Sequence, residues 1–432
     1  MTDVGASQGP VARGSVARVG TATLLSALCG YAVIYLAARD LAPRGFSVFG
    51  VFWGAFGLVT GAANGLLQET TREVRSTQYV DELPEGGDHL PEGGDHLPED
   101  GSRTHPLRVA AMVGLAAAVV IAGTSPLWSG RVFIEERGLS VVLLSVGLVG
   151  FCLHATLLGM LAGTNQWTQY GALMVTDASI RVAVATATVV IGWGLTGFLW
   201  ATVAGAAAWL IMLVCSPTAR ASARLLTPGG SATFLRGAAH SITAAGASAI
   251  LVMGFPVLLK LTSTELGAQG GVIILAVTLT RAPLLVPLTA MQGNLIAHFV
   301  DERSDRLRAL IAPAGIIGGL GAVGVLAAGV VGPWLLRVAF GPQYQASSTL
   351  LAWLTAAAVA IAMLTLTGAA AVAARLHRAY SLGWVIATVA SALLLLLPLP
   401  LQSRTVIALL CGPLVGIGVH LFALARAGRS TS

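Results

Sequence analysis

Long apolar segments follow one another along almost the whole chain, and short polar segments separate them. A membrane-spanning helix needs about 20 predominantly apolar residues, and twelve segments satisfy this requirement. They cover residues 19–38, 47–67, 107–126, 139–161, 170–192, 196–216, 238–260, 271–298, 309–335, 348–372, 381–400 and 405–425. The alternation that is typical of barrel strands is absent from them. Because a helix pairs its own backbone groups within lipid, each segment is predicted to be a transmembrane helix.

The composition agrees with this pattern. The 432 residues are 55% hydrophobic and only 10% charged, whereas soluble domains carry about 25% charge. The predicted fold is therefore an all-α polytopic membrane protein of about twelve transmembrane helices, arranged as two six-helix lobes around a central cavity. Residues 1–216 are predicted to form the N-terminal lobe, residues 217–236 a basic cytoplasmic linker and residues 237–432 the C-terminal lobe. Weak similarities between the halves, as in secondary transporters, place the substrate path between the lobes.

Arginine placement predicts the orientation. If the N-terminus is cytoplasmic, the arginines on the cytoplasmic side far outnumber those on the outer side, as the positive-inside tendency requires. We therefore expect a multi-pass protein of the cell inner (plasma) membrane with both termini in the cytoplasm. The net charge of +6 follows from the same bias and gives no reason to expect a nucleic-acid partner.

One cytoplasmic segment, residues 76–105, has an unusual composition. Within it, residues 83–103 read LPEGGDHLPEGGDHLPEDGSR, a heptad copied once and then degraded. The glycines and prolines of each copy exclude a coiled coil. A disordered, acidic loop is predicted, and the alternative interpretation is a docking site for a cytoplasmic partner.

Charges inside the predicted helices are the candidate functional residues, because each costs about 2.5–3.5 kcal/mol to insert. Asp177 and Arg181 share one face of helix 5. They form either a self-neutralised structural pair or an ion-responsive switch beside an anion-binding arginine. Arg281 lies within helix 8 with no acidic residue one turn away. It is a candidate for binding phosphate oxygens, and the alternative is an interhelical partner such as Asp177.

Other charges lie at the ends of the predicted helices. Lys260 ends helix 7, where it either contacts substrate or extends its amine to the outer interface. Arg39 and Asp40, at the outer end of helix 1, either gate the cavity or cap the helix. At the inner end of helix 2, Glu69 and Arg72 are spaced to pair, either as an inner gate or as a solvated helix end.

No cofactor is expected. The chain contains no GxxxxGK[ST] nucleotide loop, and four of its histidines are scattered over four helices without metal-ligand spacing. Its four cysteines lie in or beside apolar segments and are interpreted as core residues. The outer loops are short, so we expect no enzymatic activity.

Four stretches resemble one family. They are ARDLAPRGFSVFGVFW (38–53), QYGALMVTDASIRVAVATATVV around Arg181, TLTRAPLLVPLTAMQGNLIAHF around Arg281, and FGPQYQASSTLLAWL before helix 10. Their order and spacing are similar to those of polysaccharide exporters and lipid-linked oligosaccharide flippases of the multidrug/oligosaccharidyl-lipid/polysaccharide (MOP) exporter superfamily. The first stretch departs from the family pattern, because Ser47 stands where a glycine is expected. In such proteins this charged break turns the chain sharply between helices 1 and 2.

The resemblance implies alternating access and a polyprenyl (pyro)phosphate-linked glycan moved from the inner to the outer leaflet. Arg181, Arg281 and Lys260 would then be substrate-binding residues, and Asp177, Arg39, Asp40, Glu69 and Arg72 would act in coupling or gating. Membrane lipids and glycosyltransferases or other envelope-synthesis proteins are the expected partners. The alternatives are a cation-coupled multidrug exporter, a membrane glycosyltransferase or polymerase, and a scaffold for envelope-synthesis enzymes.

Overall fold

The structure is a computed structural model that describes residues 13–81, 103–291, 295, 298–299 and 306–429. The acidic repeat lies outside the described residues except for its last one, Arg103. Helices make up nearly all of the described chain, as the apolar segments predict.

The first half of the chain begins with one very long helix and continues with shorter ones. The helices are α1 (Arg13–Asp81), α2 (Pro106–Val132), α3 (Arg137–Gly163), α4 (Trp167–Ile191), α5 (Gly194–Ala204), α6 (Ala208–Cys215) and α7 (Pro217–Ala223). The 3₁₀ turn Gly205–Ala207 joins α5 to α6 within one crossing. The predicted basic linker is thus partly helical, because α7 occupies its first residues.

The second half of the chain begins with a helix that is broken in two. Its helices are α8 (Ser231–Val252), α9 (Phe255–Leu261), α10 (Gly267–Ala290), α11 (Arg306–Ala309), α12 (Ile311–Val330), α13 (Gly332–Phe340), α14 (Ser348–Ala373), α15 (His377–Leu394) and α16 (Leu401–Arg429). Two short strands, β1 (Arg103–Thr104) and β2 (Thr227–Pro228), pair antiparallel. They attach the chain before α2 to the segment between the lobes.

α1 is two antiparallel helices joined by a kink rather than a loop. Ala42 alone leaves helical geometry, with φ 53° and ψ 171°, and Pro43 follows it. Both ends of α1 reach the start of α4, because Arg18 donates to the Thr168 hydroxyl and Arg75 lies over the Trp167 ring. The charged break therefore reverses the chain, as the resemblance implied.

Nine described helices are long and apolar enough to cross a membrane, and the bent pair α8–α9 makes a tenth. α1 is counted once among them although it crosses twice. α15, with 18 residues, lies between two crossings. Counting α1 as two gives eleven candidate crossings among the described helices, close to the predicted number of about twelve, and α15 occupies the place of the predicted helix 381–400.

Proline and glycine account for two differences from the predicted helix boundaries. The predicted helix 238–260 starts earlier, at Ser231, and bends by 66° between α8 and α9, where Gly254 and Pro256 interrupt the helical hydrogen bonds. The predicted helix 381–400 ends at Leu394, before two further prolines. Apolar composition alone did not reveal either break.

The lobes meet along the second half of α1. Gly50, Gly54, Gly57, Gly61 and Gly65 form one stripe of this helix, and each faces an atom of the α8–α10 region. A Cβ at Gly61 would lie 2.7 Å from the Cβ of Ala249, and one at Gly65 would overlap the backbone of α8. Small residues permit such close approach between membrane helices.

We expect Gly65→Ala to destabilise the contact between the lobes. The added methyl group cannot be accommodated without moving the backbone at Ser241 and Ile242, and overpacking of this kind costs about 1–3 kcal/mol. Thermal unfolding of the purified protein in detergent measures the effect as a lower Tm. Gly123→Ala is the control, because a Cβ there has no atom within 4 Å. Equal Tm values for the two variants would contradict the proposed contact.

Candidate functional site

The helices end at two opposite faces of the molecule. The Tyr344 face carries Ala42, Lys260 and Tyr344. The Glu69 face carries Glu69 and the strands β1 and β2. Charged side chains occur at both faces and, in two places, between them.

Arg281 of α10 lies between the faces and is only 7% exposed. Its Nη1 donates to the carbonyl oxygen of Val252 at 3.0 Å, and its guanidinium lies 5.4 Å from the ring centroid of Phe255. These residues flank the break between α8 and α9. A cation suits this position, because the last carbonyls of α8 are unpaired and carry the negative end of the helix dipole.

One nitrogen of Arg281 remains available. Its Nη2 is buried and has no hydrogen-bond partner among the described residues. Arg281 therefore has a buried, unpaired donor, and a buried donor without an acceptor is costly.

Asp177 and Arg181 form an ion pair on α4, with Nη2 of Arg181 2.9 Å from Oδ1 of Asp177. Nη1 of Arg181 donates to the carbonyl oxygen of Thr202 at 2.6 Å. The pair packs against Gly205, where a side chain would collide with both residues. Each nitrogen of Arg181 therefore has a partner within its own lobe, and the geometry favours the structural pair over a substrate-binding arginine.

The two lobes contact each other at the Tyr344 face. The Tyr344 hydroxyl donates to the carbonyl oxygen of Ala38 at 2.9 Å, and the side chain is 0% exposed. Burial raises the pKa of the Tyr344 phenol, so the hydroxyl stays a donor. The ring makes edge contacts with Phe46 from α1 and Phe340 from α13.

Arg39 takes part in the same contact. Its Nη1 donates to the carbonyl oxygen of Ala339 at 3.4 Å, from α1 to α13. This bond favours the gating interpretation of Arg39 over the helix cap. Asp40 is exposed, and its gating role stays a prediction.

At the Glu69 face, Glu69 is 2% exposed and lies 2.7 Å from Nη2 of Arg72. Ser241 of α8 donates to its other oxygen at 3.3 Å, across the lobe boundary. Gly237 leaves the space that the carboxylate occupies. The predicted Glu69–Arg72 pair is therefore present and is also an interlobe contact, which supports the inner-gate interpretation.

Lys260 lies at the Tyr344 face, but its amine does not extend into the surroundings. It is only 6% exposed and donates to the carbonyl oxygen of Thr264 at 3.2 Å. The structure therefore disfavours the alternative in which Lys260 extends its amine to the outer interface.

The predicted residues thus divide into separate places rather than one cluster. Arg281 has no described hydrogen bond or ion pair to Asp177 or Arg181, since those two bind each other. Sequence reasoning missed Tyr344 and Phe255, although both signals were visible. Tyr344 belongs to the FGPQY motif that supports the resemblance, and Phe255 lies between Gly254 and Pro256, the residues that break the helix.

We expect Asp177→Ala alone to destabilise the protein more than the double change Asp177→Ala with Arg181→Leu. Removing one partner leaves an uncompensated charge in a low-dielectric interior, which costs about 3–5 kcal/mol, whereas removing both does not. Tm and folded yield in detergent measure this. Arg44→Gln, which breaks the exposed pair with Glu265, is the control and should change little. A single variant as stable as the double variant would exclude the structural-pair interpretation.

We expect Tyr344→Phe to loosen the Tyr344 face, because the buried carbonyl of Ala38 loses its donor at a cost of about 1–3 kcal/mol. Hydrogen–deuterium exchange should become faster in residues 36–46 and 340–346. Tyr35→Phe is the matched control, since this partly exposed ring contacts Phe340 without a described hydroxyl bond. Unchanged exchange in both variants would remove Tyr344 from the interlobe contact.

Three mycobacterial proteins are similar to the chain over nearly its whole length. The uncharacterized proteins Mb3654 of Mycobacterium bovis and Rv3630 of Mycobacterium tuberculosis are each 79% identical over 422 residues, covering 98% of this chain and 94% of theirs. The uncharacterized protein Rv1510 of Mycobacterium tuberculosis is 72% identical over 432 residues, covering 99% and 96%. No model of a known protein family matches the chain.

Solved structures of transporters have the same fold. An inward-facing multidrug resistance MATE family transporter of the MOP superfamily superposes with a TM-score of 0.71, at 14% identity, over 96% of this chain and 100% of that chain. The outward-facing conformation of such a transporter gives 0.66, at 14% identity, over 96% and 95%. These matches confirm the all-α, two-lobe membrane fold. The chain therefore belongs to the same protein family as the uncharacterized Mycobacterium tuberculosis proteins Rv3630 and Rv1510, and it has the fold of MATE transporters.

Proposed function

We propose that this protein is an alternating-access exporter of the MOP superfamily that moves a polyprenyl (pyro)phosphate-linked glycan from the inner to the outer leaflet. The proposal rests on Arg281, whose buried Nη2 has no described partner. A phosphate oxygen would supply the missing acceptor. Arginine suits this task, because its planar donors match phosphate geometry.

The energetics of the cargo support a buried cation. An unpaired phosphate in hydrocarbon carries a prohibitive desolvation penalty, so a path for a phosphorylated headgroup needs compensating positive charge. The other intramembrane arginine, Arg181, is neutralised by Asp177. Arg281 therefore provides buried positive charge between the two faces, and no described carboxylate pairs with it.

The interlobe contacts support alternating access. Tyr344 and Arg39 close one face, and Glu69 with Ser241 joins the lobes at the other. Under the orientation that the arginines predict, the Tyr344 face is the outer face and both termini lie in the cytoplasm. The protein would then reside in the inner (plasma) membrane beside the glycosyltransferases that build its cargo.

A multidrug exporter is the second candidate, because the solved structures that share this fold include multidrug resistance transporters. Cation-coupled export of drugs calls for a buried carboxylate that can exchange its partner. Asp177 and Glu69 are both paired with arginines. This pairing favours an anionic cargo. The charge of the transported molecule therefore distinguishes the two candidate functions.

We expect Arg281→Gln to abolish movement of a short-chain polyprenyl phosphate across reconstituted vesicles, while Arg281→Lys keeps measurable activity because it keeps the charge. The double change at Asp177 and Arg181 is the control and should leave transport near wild type, since it removes a neutral pair. Efflux of a cationic dye is measured in parallel. Dye efflux without polyprenyl phosphate transport, or full transport by Arg281→Gln, would overturn the proposal.

A further inference from the structure

A polar cavity lies at the Tyr344 face, and Arg281 is not part of its lining. It has a volume of about 530 Å³. The second half of α1, the end of α2 and the segment from α9 to α10 line it, so it lies at the boundary between the two lobes. Its charged lining residues are Arg44, Arg131, Glu135, Lys260 and Glu265.

The side chain of Lys260 belongs to the lining of this cavity. It is the one lysine of the sequence, and lysine is almost never fully buried unless it is paired. Here it is 94% buried as judged from its 6% exposure, yet its described hydrogen bond is a single one to the carbonyl oxygen of Thr264. An ammonium group has three donors. The cavity beside it is where a further acceptor can bind.

The start of α10 opens onto the same cavity. Gly267, its first residue, belongs to the lining. The residue before it, Leu266, provides no side-chain cap, and the first turn contains no acidic residue. The unpaired amides and positive dipole end of a helix N-terminus favour an anion. The helix start and the buried amine therefore point independently to the same kind of ligand.

The remaining charges leave room for an anion. Arg44 and Glu265 approach to only 3.9 Å, and both are well exposed, so this pair is weak and can open. Glu135 is the other carboxylate in the lining, and Arg131 is the third cation. The three cations thus exceed the two carboxylates in the lining.

We propose that this cavity is a binding site for a phosphoryl group, held by Lys260, Arg131 and the start of α10. The ligand is a phosphodiester lipid headgroup or a free phosphate. Because Lys260 belongs to one lobe and Arg131 to the other, the bound anion bridges the lobes and stabilises closure of the Tyr344 face. The site does not depend on the cargo proposed for Arg281.

The test uses the purified full-length protein in a neutral detergent at constant ionic strength. Inorganic phosphate, pyrophosphate and dihexanoyl phosphatidylglycerol are titrated separately while Tm is recorded. A ligand that binds only the folded state raises Tm with concentration. A response to phosphatidylglycerol alone identifies a lipid headgroup, and a response to phosphate or pyrophosphate identifies a free anion; both support the site.

Substitutions in the lining test whether the rise in Tm comes from ligand bound in this cavity. Lys260→Met and Arg131→Gln should each weaken apparent affinity at least tenfold, and Lys260→Arg should retain it. Arg337→Gln is the matched control, because this exposed cation of the same face lies outside the lining. If Lys260→Met does not fold, Arg131→Gln decides. No Tm response to any of the three ligands, or a wild-type response in Arg131→Gln, would overturn the proposal.

A second measurement uses the single lysine directly. We expect an amine-reactive acylating reagent that enters the cavity to modify Lys260, and peptide mass spectrometry separates this product from the acylated N-terminus. Saturating ligand should slow acylation of Lys260 several-fold without changing that of the N-terminus. An unchanged rate at saturation would contradict direct contact between the ammonium and the anion.

Discussion

The architecture depends on the close approach of the second half of α1 to α8 and the helices that follow it. In lipid, apolar helices gain nothing from hiding surface from water, so contact between them depends on packing. A stripe of glycines, from Gly50 to Gly65, brings the helix backbones together across the lobe boundary. The contact between Glu69 and Ser241 lies at one end of this seam, because Gly65 faces the backbone of Ser241. A transporter that alternates between two states must break and re-form such contacts at each face.

The buried charged side chains are arranged in ways that reduce their desolvation penalty. Asp177 and Arg181 cancel each other inside one lobe, where they fix α4 against α5 and the 3₁₀ turn. Arg281 is different, because its partners are backbone carbonyls and an aromatic face, which reduce its desolvation penalty without neutralising its charge. The break between α8 and α9 therefore supplies the carbonyls that hold Arg281, and the buried positive charge stays without a described carboxylate partner.

The short helix α9 connects the two proposed anion sites. It begins at Phe255, beneath Arg281, and ends beside Lys260. A change in the bend at Gly254 would move Lys260 together with the Phe255 ring that packs on Arg281, while Arg281 itself belongs to α10.

The sequence by itself determined the membrane environment, the helical crossings and the pairing of residues close in the chain, such as Asp177 with Arg181 and Glu69 with Arg72. These follow from apolar length and helical periodicity, which are local properties. Only the tertiary structure decided that Arg181 also donates to the carbonyl oxygen of Thr202, that Arg281 binds the break of another helix, and that Tyr344 reaches Ala38 more than 300 residues earlier. The physical reason is that a partner distant in sequence is chosen by helix packing, and the periodicity of one helix carries no information about which helix faces it.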